Sequence, residues 1–200
     1  STGHLQGRLT PTGRHGMALT DEQLMLAFRD GDATAFDQLY ARYRAPLYRY
    51  VLHLCNDPSL VDELYQDVWL RVVRSRTQWR QEAPFRPWLF GIAHNRVTDF
   101  WRSNNRRATT QELDGQDQAD PVTPGPDIRT LIQDCIERLK ALLGRLPEAQ
   151  RSAFLLKEEA GLTLEQIASC TGVGRETVKS RLRYALQSLR KGLEGCDDTT

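Results

Sequence analysis

The stretch LTLEQIASCTGVGRETVKSRLRYALQSL (Leu162–Leu189) decides what kind of chain this is. Thr163 stands where an N-cap is wanted, ahead of a helical pattern from Leu164 to Cys170. Thr171-Gly172-Val173-Gly174 supplies a turn, and a second helical pattern runs from Arg175 to about Leu193. Two helices around a short, glycine-containing turn have the spacing of a helix-turn-helix. Ile167, Ala168, Val173, Val178 and Leu182 fall where the helices must pack on each other. The opposite face of the second helix presents Arg175, Glu176, Thr177, Lys179, Ser180 and Arg183. In such a motif the start of the second helix enters the major groove, where Arg and Lys pair with guanine and Ser or Thr reach bases or phosphates. A helical hairpin with a merely solvated face is the plainer reading; basic charge, small polar residues and the glycine turn together favour DNA.

Helical periodicity continues outward from this stretch, and strand signals are nearly absent. Thr20-Asp21-Glu22 reads as an N-cap and acidic first turn for Leu24 to Arg29, with Gly31 as the stop. From Thr34 to Leu54 the residues Phe36, Leu39, Tyr40, Tyr43, Leu47, Tyr48, Val51 and Leu54 form a core-facing stripe. Pro46 inside that stripe predicts a kink or a break. Asp57-Pro58 starts a helix to about Arg74, Arg76 to Ala83 reads as a loop, and a further helix covers Trp88 to about Ser103. ATTQELDGQDQADPVTPGPD (108–127) has no periodicity and reads as a flexible, partly extended linker. Helical pattern resumes at Ile128, breaks at Leu146-Pro147, and continues over Glu148 to Glu159. The expectation is an all-α chain with two small helical domains, 17–107 and 128–195, joined by the acidic linker 108–127. Residues 1–16, rich in Gly and polar residues, read as a disordered leader.

A content of 40% hydrophobic and 26% charged residues is that of a globular protein. No apolar run approaches the roughly 20 residues of a bilayer span, and no secretory h-region is present, so no membrane insertion and a cytoplasmic location are expected. Cys55, Cys135, Cys170 and Cys196 lie far apart without a C-x-x-C pair, which predicts free thiols and no metal site. The net charge of +1 conceals segregation. Nine Arg lie between Arg71 and Arg107 against Glu82 and Asp99, and six Lys or Arg lie between Arg175 and Lys191 against Glu176 alone. The linker carries five acids and no base. Two basic patches and an acidic connector point to nucleic acid.

The amino-terminal half adds two features. In LVDELYQDVWLRVV (Leu60–Val73), Asp62, Glu63, Gln66 and Asp67 line the side opposite a broad apolar face, and an acidic side in a basic domain suggests a protein partner with basic residues. In PFRPWLFGIAHNRVTDFWR (Pro84–Arg102) and just before it, Trp79, Phe85, Trp88, Phe90, Phe100 and Trp101 alternate with Arg80, Arg86, Arg96 and Arg102. Aromatic planes and Arg together suit single-stranded nucleic acid, although Trp88 and Phe90 also fit a buried stripe.

In order and spacing, these helices, the loop ahead of FRPWLFGIAHNRVTDFWR and the segment LPEAQRSAFLLKEEAGLTLEQIASCTGVGRETVKSRLRYALQSLRK resemble the extracytoplasmic-function (ECF) group of bacterial sigma factors over about Thr20 to Leu193. The resemblance implies a region-two helical bundle followed by a region-four helix-turn-helix domain. It implies binding of core RNA polymerase through Asp62, Leu64, Gln66 and Asp67. It assigns the single-stranded −10 element to Trp79, Arg80, Gln81, Glu82 and Phe85 in the loop and to Asn95, Arg96, Asp99 and Arg102 on the helix. It assigns the duplex −35 element to Arg175, Glu176, Thr177, Lys179, Ser180 and Arg183. An anti-sigma factor is the implied inhibitor, and no cofactor is implied. Pro84 and Pro87 depart from the small or polar residues more usual in the family and stiffen the approach to the helix. His94 stands where many relatives have a basic residue, which ties any DNA contact there to pH.

Two other classes compete. A stand-alone helix-turn-helix regulator would bind an operator without polymerase, usually as a dimer, yet this chain has an extra aromatic, basic domain and no dimerisation heptads. An enzyme acting on nucleic acid would need a metal cluster, paired catalytic carboxylates or a nucleophile motif, and none is evident. No G-x-x-x-x-G-K-[ST] loop occurs, so promoter melting is expected to run on binding energy rather than ATP. Promoter elements one and a half turns apart lie roughly 50 Å from each other. A linker of this length reaches at most about 66 Å and relaxes to about 25 Å, so simultaneous contact requires it to be drawn out.

Overall fold

The computed structural model describes the backbone of residues 18–55, 57–108 and 128–194, and the side chains of these apart from 104–108 and 128–132. Every regular element among them is a helix. The expected leader (1–16) and nearly all of the expected linker (108–127) lie outside the described residues.

Helix starts follow local chemistry. Thr20 and Gln23 form a reciprocal capping box at the head of α1 (Asp21–Arg29), with bonds of 3.2 Å and 2.9 Å. Asp57 caps α3 (Pro58–Ser75) by accepting from Ser59 N at 3.0 Å, with Pro58 as its first residue. A second capping box, Thr163 with Gln166, opens α7 (Leu164–Thr171). That helix ends on Gly172 in the left-handed conformation (φ 68°), which a residue with a Cβ rarely adopts.

Two helices differ from expectation. α2 (Ala33–Cys55) passes through Pro46 as one helix. Tyr43, Leu47 and Tyr50 on both sides of the proline are buried, and this packing outweighs the lost hydrogen bond. α4 (Phe85–Ala108) starts earlier and ends later than expected, because no breaker follows Ser103 before Ala108. α5 (Ile128–Arg145), α6 (Glu148–Glu158) and α8 (Arg175–Gly192) follow the pattern closely.

α2 is the central strut, with α1, α3 and α4 packed round it as one bundle. α5 to α8 form the second bundle, in which Leu143, Leu146, Ala185 and Leu189 close one end. The bundles are not separate. α6 and α5 lie against α2, α7 lies along α4, and a continuous core runs from Leu24 and Phe90 to Leu156, Ile167 and Val178. Polar bonds fasten the junction: Arg49 Nε to Glu159 Oε2 at 2.8 Å, and Cys170 Sγ to the Pro87 carbonyl at 3.3 Å. Cys55 and Cys170 carry free thiols. Cys135 departs from that expectation: it is disulfide-bonded.

Candidate nucleic-acid interface

On α3, burial divides the residues assigned to polymerase docking. Asp62 and Gln66 are exposed and fall in line with Leu70, half exposed one turn further on. Leu64 is buried, so it supports the helix from beneath and presents nothing to a partner. Asp67 faces α4, where it pairs with Arg96 and more loosely with Arg71 at 3.6 Å. Tyr48 donates to Asp62 at 3.3 Å and packs edge-on against Tyr65 at 5.3 Å. Tyr40 and Tyr48 were expected in the core stripe. Both are exposed, because they sit one residue beyond Leu39 and Leu47 at the edge of the buried arc. The exposed ridge of α3 is therefore acid and amide flanked by exposed Tyr48 and Leu70. The sequence signal for Tyr48 was its place at the stripe's margin, and for Leu70 its position four residues after Gln66 on the polar side of α3.

The expected strand-capture loop is anchored at both ends by aromatics. Trp79 and Phe85 are fully buried, so neither can stack on a base while the bundle is intact. Between them Arg80, Gln81 and Glu82 are exposed. Along α4, Asn95, Asp99 and Arg102 are exposed, while Arg96 is only 17% exposed in its ion pair with Asp67 and sits over Phe100 at 6.0 Å. Arg96 thus ties α4 to α3. Trp88, Gly91, Ile92 and Asn95 line a groove whose other wall is Glu165, Gln166, Ser169 and Cys170 of α7. α4 and the first helix of the helix-turn-helix accordingly face each other.

α8 buries Val178, Ala185 and Leu189 and exposes Arg175, Glu176, Thr177, Lys179 and Arg183, with Ser180 partly covered. Arg175 bonds Glu165 at 2.6 Å and Glu176 at 3.4 Å, and Lys179 lies 3.5 Å from Glu176. These pairs are exposed and worth little, so phosphate or base can displace them. Among the described residues no group of His, Cys, Asp or Glu could hold a metal. No described helix is long and apolar enough to cross a membrane.

Comparison with known proteins agrees with this layout. The pattern described as Sigma-70 region 2 matches residues 39–107, and Sigma-70, region 4 matches 142–191. The ECF RNA polymerase sigma factor SigK of Mycolicibacterium vanbaalenii is 32% identical, over 81% of this chain and 83% of that one. The chain belongs to the ECF sigma factors. RNA polymerase sigma-H factor of Pseudomonas aeruginosa is 26% identical over 87% of this chain and 94% of its own. The fold is also that of CnrH, solved with the cytosolic domain of CnrY (TM-score 0.64, 22% identity, covering 88% of this chain and 97% of that chain). It is likewise that of RpoE, solved with the anti-sigma factor NepR from Bartonella quintana (TM-score 0.66, 21% identity, 80% and 96% covered). As a sigma factor the protein binds core RNA polymerase and promoter DNA and directs initiation at −35 and −10 elements. Sigma factors as a class are not enzymes.

His94 of this sigma factor occupies the junction of its two bundles. Its Nδ1 lies 3.0 Å from Ser152 Oγ of α6 and 3.4 Å from the Tyr50 hydroxyl of α2. Burial, then Arg102 of α4 and Arg181 of α8, lower its pKa below the ordinary 6.5, and Asp99 opposes them. The closed junction therefore favours the neutral ring. Its contribution is complete above about pH 6.5 and is lost as pH falls below that value toward the depressed pKa. Small-angle scattering between pH 8 and pH 5 is expected to show the bundles separating on the acid side, and a His94→Gln variant should show a weaker pH dependence.

Proposed function

We propose that Asp62 and Gln66, flanked by Tyr48 and Leu70, contact the polymerase, while Leu64 and Asp67 hold their helix in place. Arg80, Gln81 and Glu82 at the loop tip, with Asn95, Asp99 and Arg102, contact the opened −10 strand. Trp79, Phe85 and Arg96 frame that surface. Arg175, Glu176, Thr177, Lys179, Ser180 and Arg183 read the −35 element. The working units are a region-two domain (17–107), a linker (108–127) and a region-four domain (128–195). The observation that carries this reading is the presence of two exposed ridges of opposite charge. One is acidic on α3 (Asp62, Glu63), and the other is basic on α8 (Arg175, Lys179, Arg183).

The packed arrangement belongs to a DNA-free state. Helices in contact lie about 8–10 Å apart, so with α7 against α4 the two DNA-reading faces cannot span elements roughly 50 Å apart. Opening at the α4–α7 and α2–α6 contacts precedes promoter engagement. RpoE was solved with an anti-sigma factor, and a protein of that kind is the proposed inhibitor here, acting on a cytoplasmic factor with no catalytic role of its own.

Separate variants test the assignment. Asp62→Lys with Glu63→Lys is expected to abolish core polymerase binding. Lys179→Ala should weaken promoter binding on all sequences and lower the salt slope by about one. Arg183→Ala should cost roughly 1–3 kcal/mol at one promoter position. A charge-reversed α3 that still binds core polymerase at wild-type affinity would overturn the docking assignment.

A further inference from the structure

The acidic pair Asp21-Glu22 at the head of α1 does more than start its own helix. α4 begins with Pro84 in the N-cap position, as Trp88 N reaches the Pro84 carbonyl at 3.4 Å. Proline has no side-chain acceptor, and Ala83 before it has none either, so neither neighbour can cap the exposed N–H groups of the first turn. Glu22 supplies the acceptor from another helix: Phe85 N donates to Glu22 Oε1 at 3.1 Å. A carboxylate at this end also meets the positive pole of the helix dipole.

A second link runs beside it. Asp21 accepts from the Tyr43 hydroxyl, and Arg86 Nε donates to the same hydroxyl oxygen at 3.1 Å, with its guanidinium 5.6 Å from the Tyr43 ring centre. Arg42 holds Asp21 from the other side at 2.8 Å. Phe85 packs against Tyr43 at 5.4 Å. The first turn of α1 thus grips the first turn of α4, and the grip falls immediately after the exposed loop tip at Arg80, Gln81 and Glu82. At the loop's other end the anchors are buried Trp79 and Arg76, whose guanidinium lies 5.7 Å from the Phe28 ring centre.

We infer that Glu22 is a positioning residue for strand capture: by capping α4 across the bundle it fixes the end of the loop that holds the opened −10 strand. This rests on the reading that the loop tip contacts a −10 base. Glu22 itself touches no DNA. Its removal frees the loop's exit to fray while the Trp79 anchor, the α3 ridge and α8 remain.

The test uses holoenzyme reconstituted with core polymerase and single-stranded −10 oligonucleotides that differ in the base offered to the loop. Wild type is expected to prefer one base. Glu22→Ala should lose about tenfold of that preference, the size of a lost cap interaction, with core binding and −35 recognition close to wild type and a melting midpoint only a few degrees lower. Glu22→Gln keeps an acceptor for Phe85 N and should retain most of the preference, a rescue that general destabilisation would not give. Arg80→Ala with Gln81→Ala serves as the loop control. If that control loses base preference while Glu22→Ala keeps it, the inference is wrong and the loop reading stands. If the control keeps its preference, the loop reading fails and the inference falls with it.

Discussion

Replacing Phe85 with Ala is expected to remove about 3–5 kcal/mol of folding stability, whereas Arg80→Ala should leave stability unchanged and impair only promoter opening. The two residues belong to one aromatic and basic segment, and both were assigned to DNA from sequence. Phe85 is fully buried, with its ring against Tyr43 and Trp88. Its truncation leaves a cavity between α1, α2 and α4 that these packed helices fill only in part. A small domain is stable by about 5–15 kcal/mol, so the loss consumes much of the margin. Thermal or urea unfolding followed by helical circular dichroism measures it. A Phe85→Ala protein with the wild-type midpoint would mean that the ring does not belong to the core.

The second large effect concerns the junction. Gly91 sits on α4 opposite α7, and a Cβ there would meet Cys170 Sγ at 3.7 Å, an ordinary contact. The three further carbons of Leu have to fit into the groove between α4 and α7, and overpacking there is expected to displace α7 rather than be absorbed. In a helix Leu is also favoured over Gly by up to about 1 kcal/mol, so Gly91→Leu strengthens α4 while wedging the junction apart. The expected result is a rise in the radius of gyration of several Å from the roughly 16 Å of a closed chain this long, with helix content intact. Unchanged scattering would show that the junction can repack round the larger side chain.

Much of the architecture was legible because its signals are local. The capping residues Thr20, Asp57 and Thr163, Gly172 and the periodicity of α3 and α8 act within a turn of where they stand. What was not legible depends on neighbours distant in sequence. Pro46 looks like a break until Tyr43 and Tyr50 are seen buried on both sides. Trp79 and Phe85 carry the right chemistry for stacking on bases, and only tertiary burial removes them from the candidates. Asp67 and Arg96 were given to different partners, yet they meet across α3 and α4, at a separation no pattern rule spans. Asp21 and Glu22 read as an ordinary acidic first turn because the helix that Glu22 caps begins more than sixty residues later. The packing of α7 on α4 lies further still from any local signal.

The central claim is that this chain gives core polymerase promoter selectivity by opening and placing its two bundles on separate elements. Transcription from a randomised promoter library, with core polymerase and this protein as the only factors and the starts read by sequencing, tests it most directly. Starts should appear only when the protein is present, should share two motifs at a fixed separation, and should need no hydrolysable ATP beyond the nucleotides being polymerised. Sequence-selective DNA binding without polymerase, together with no factor-dependent starts, would contradict the claim.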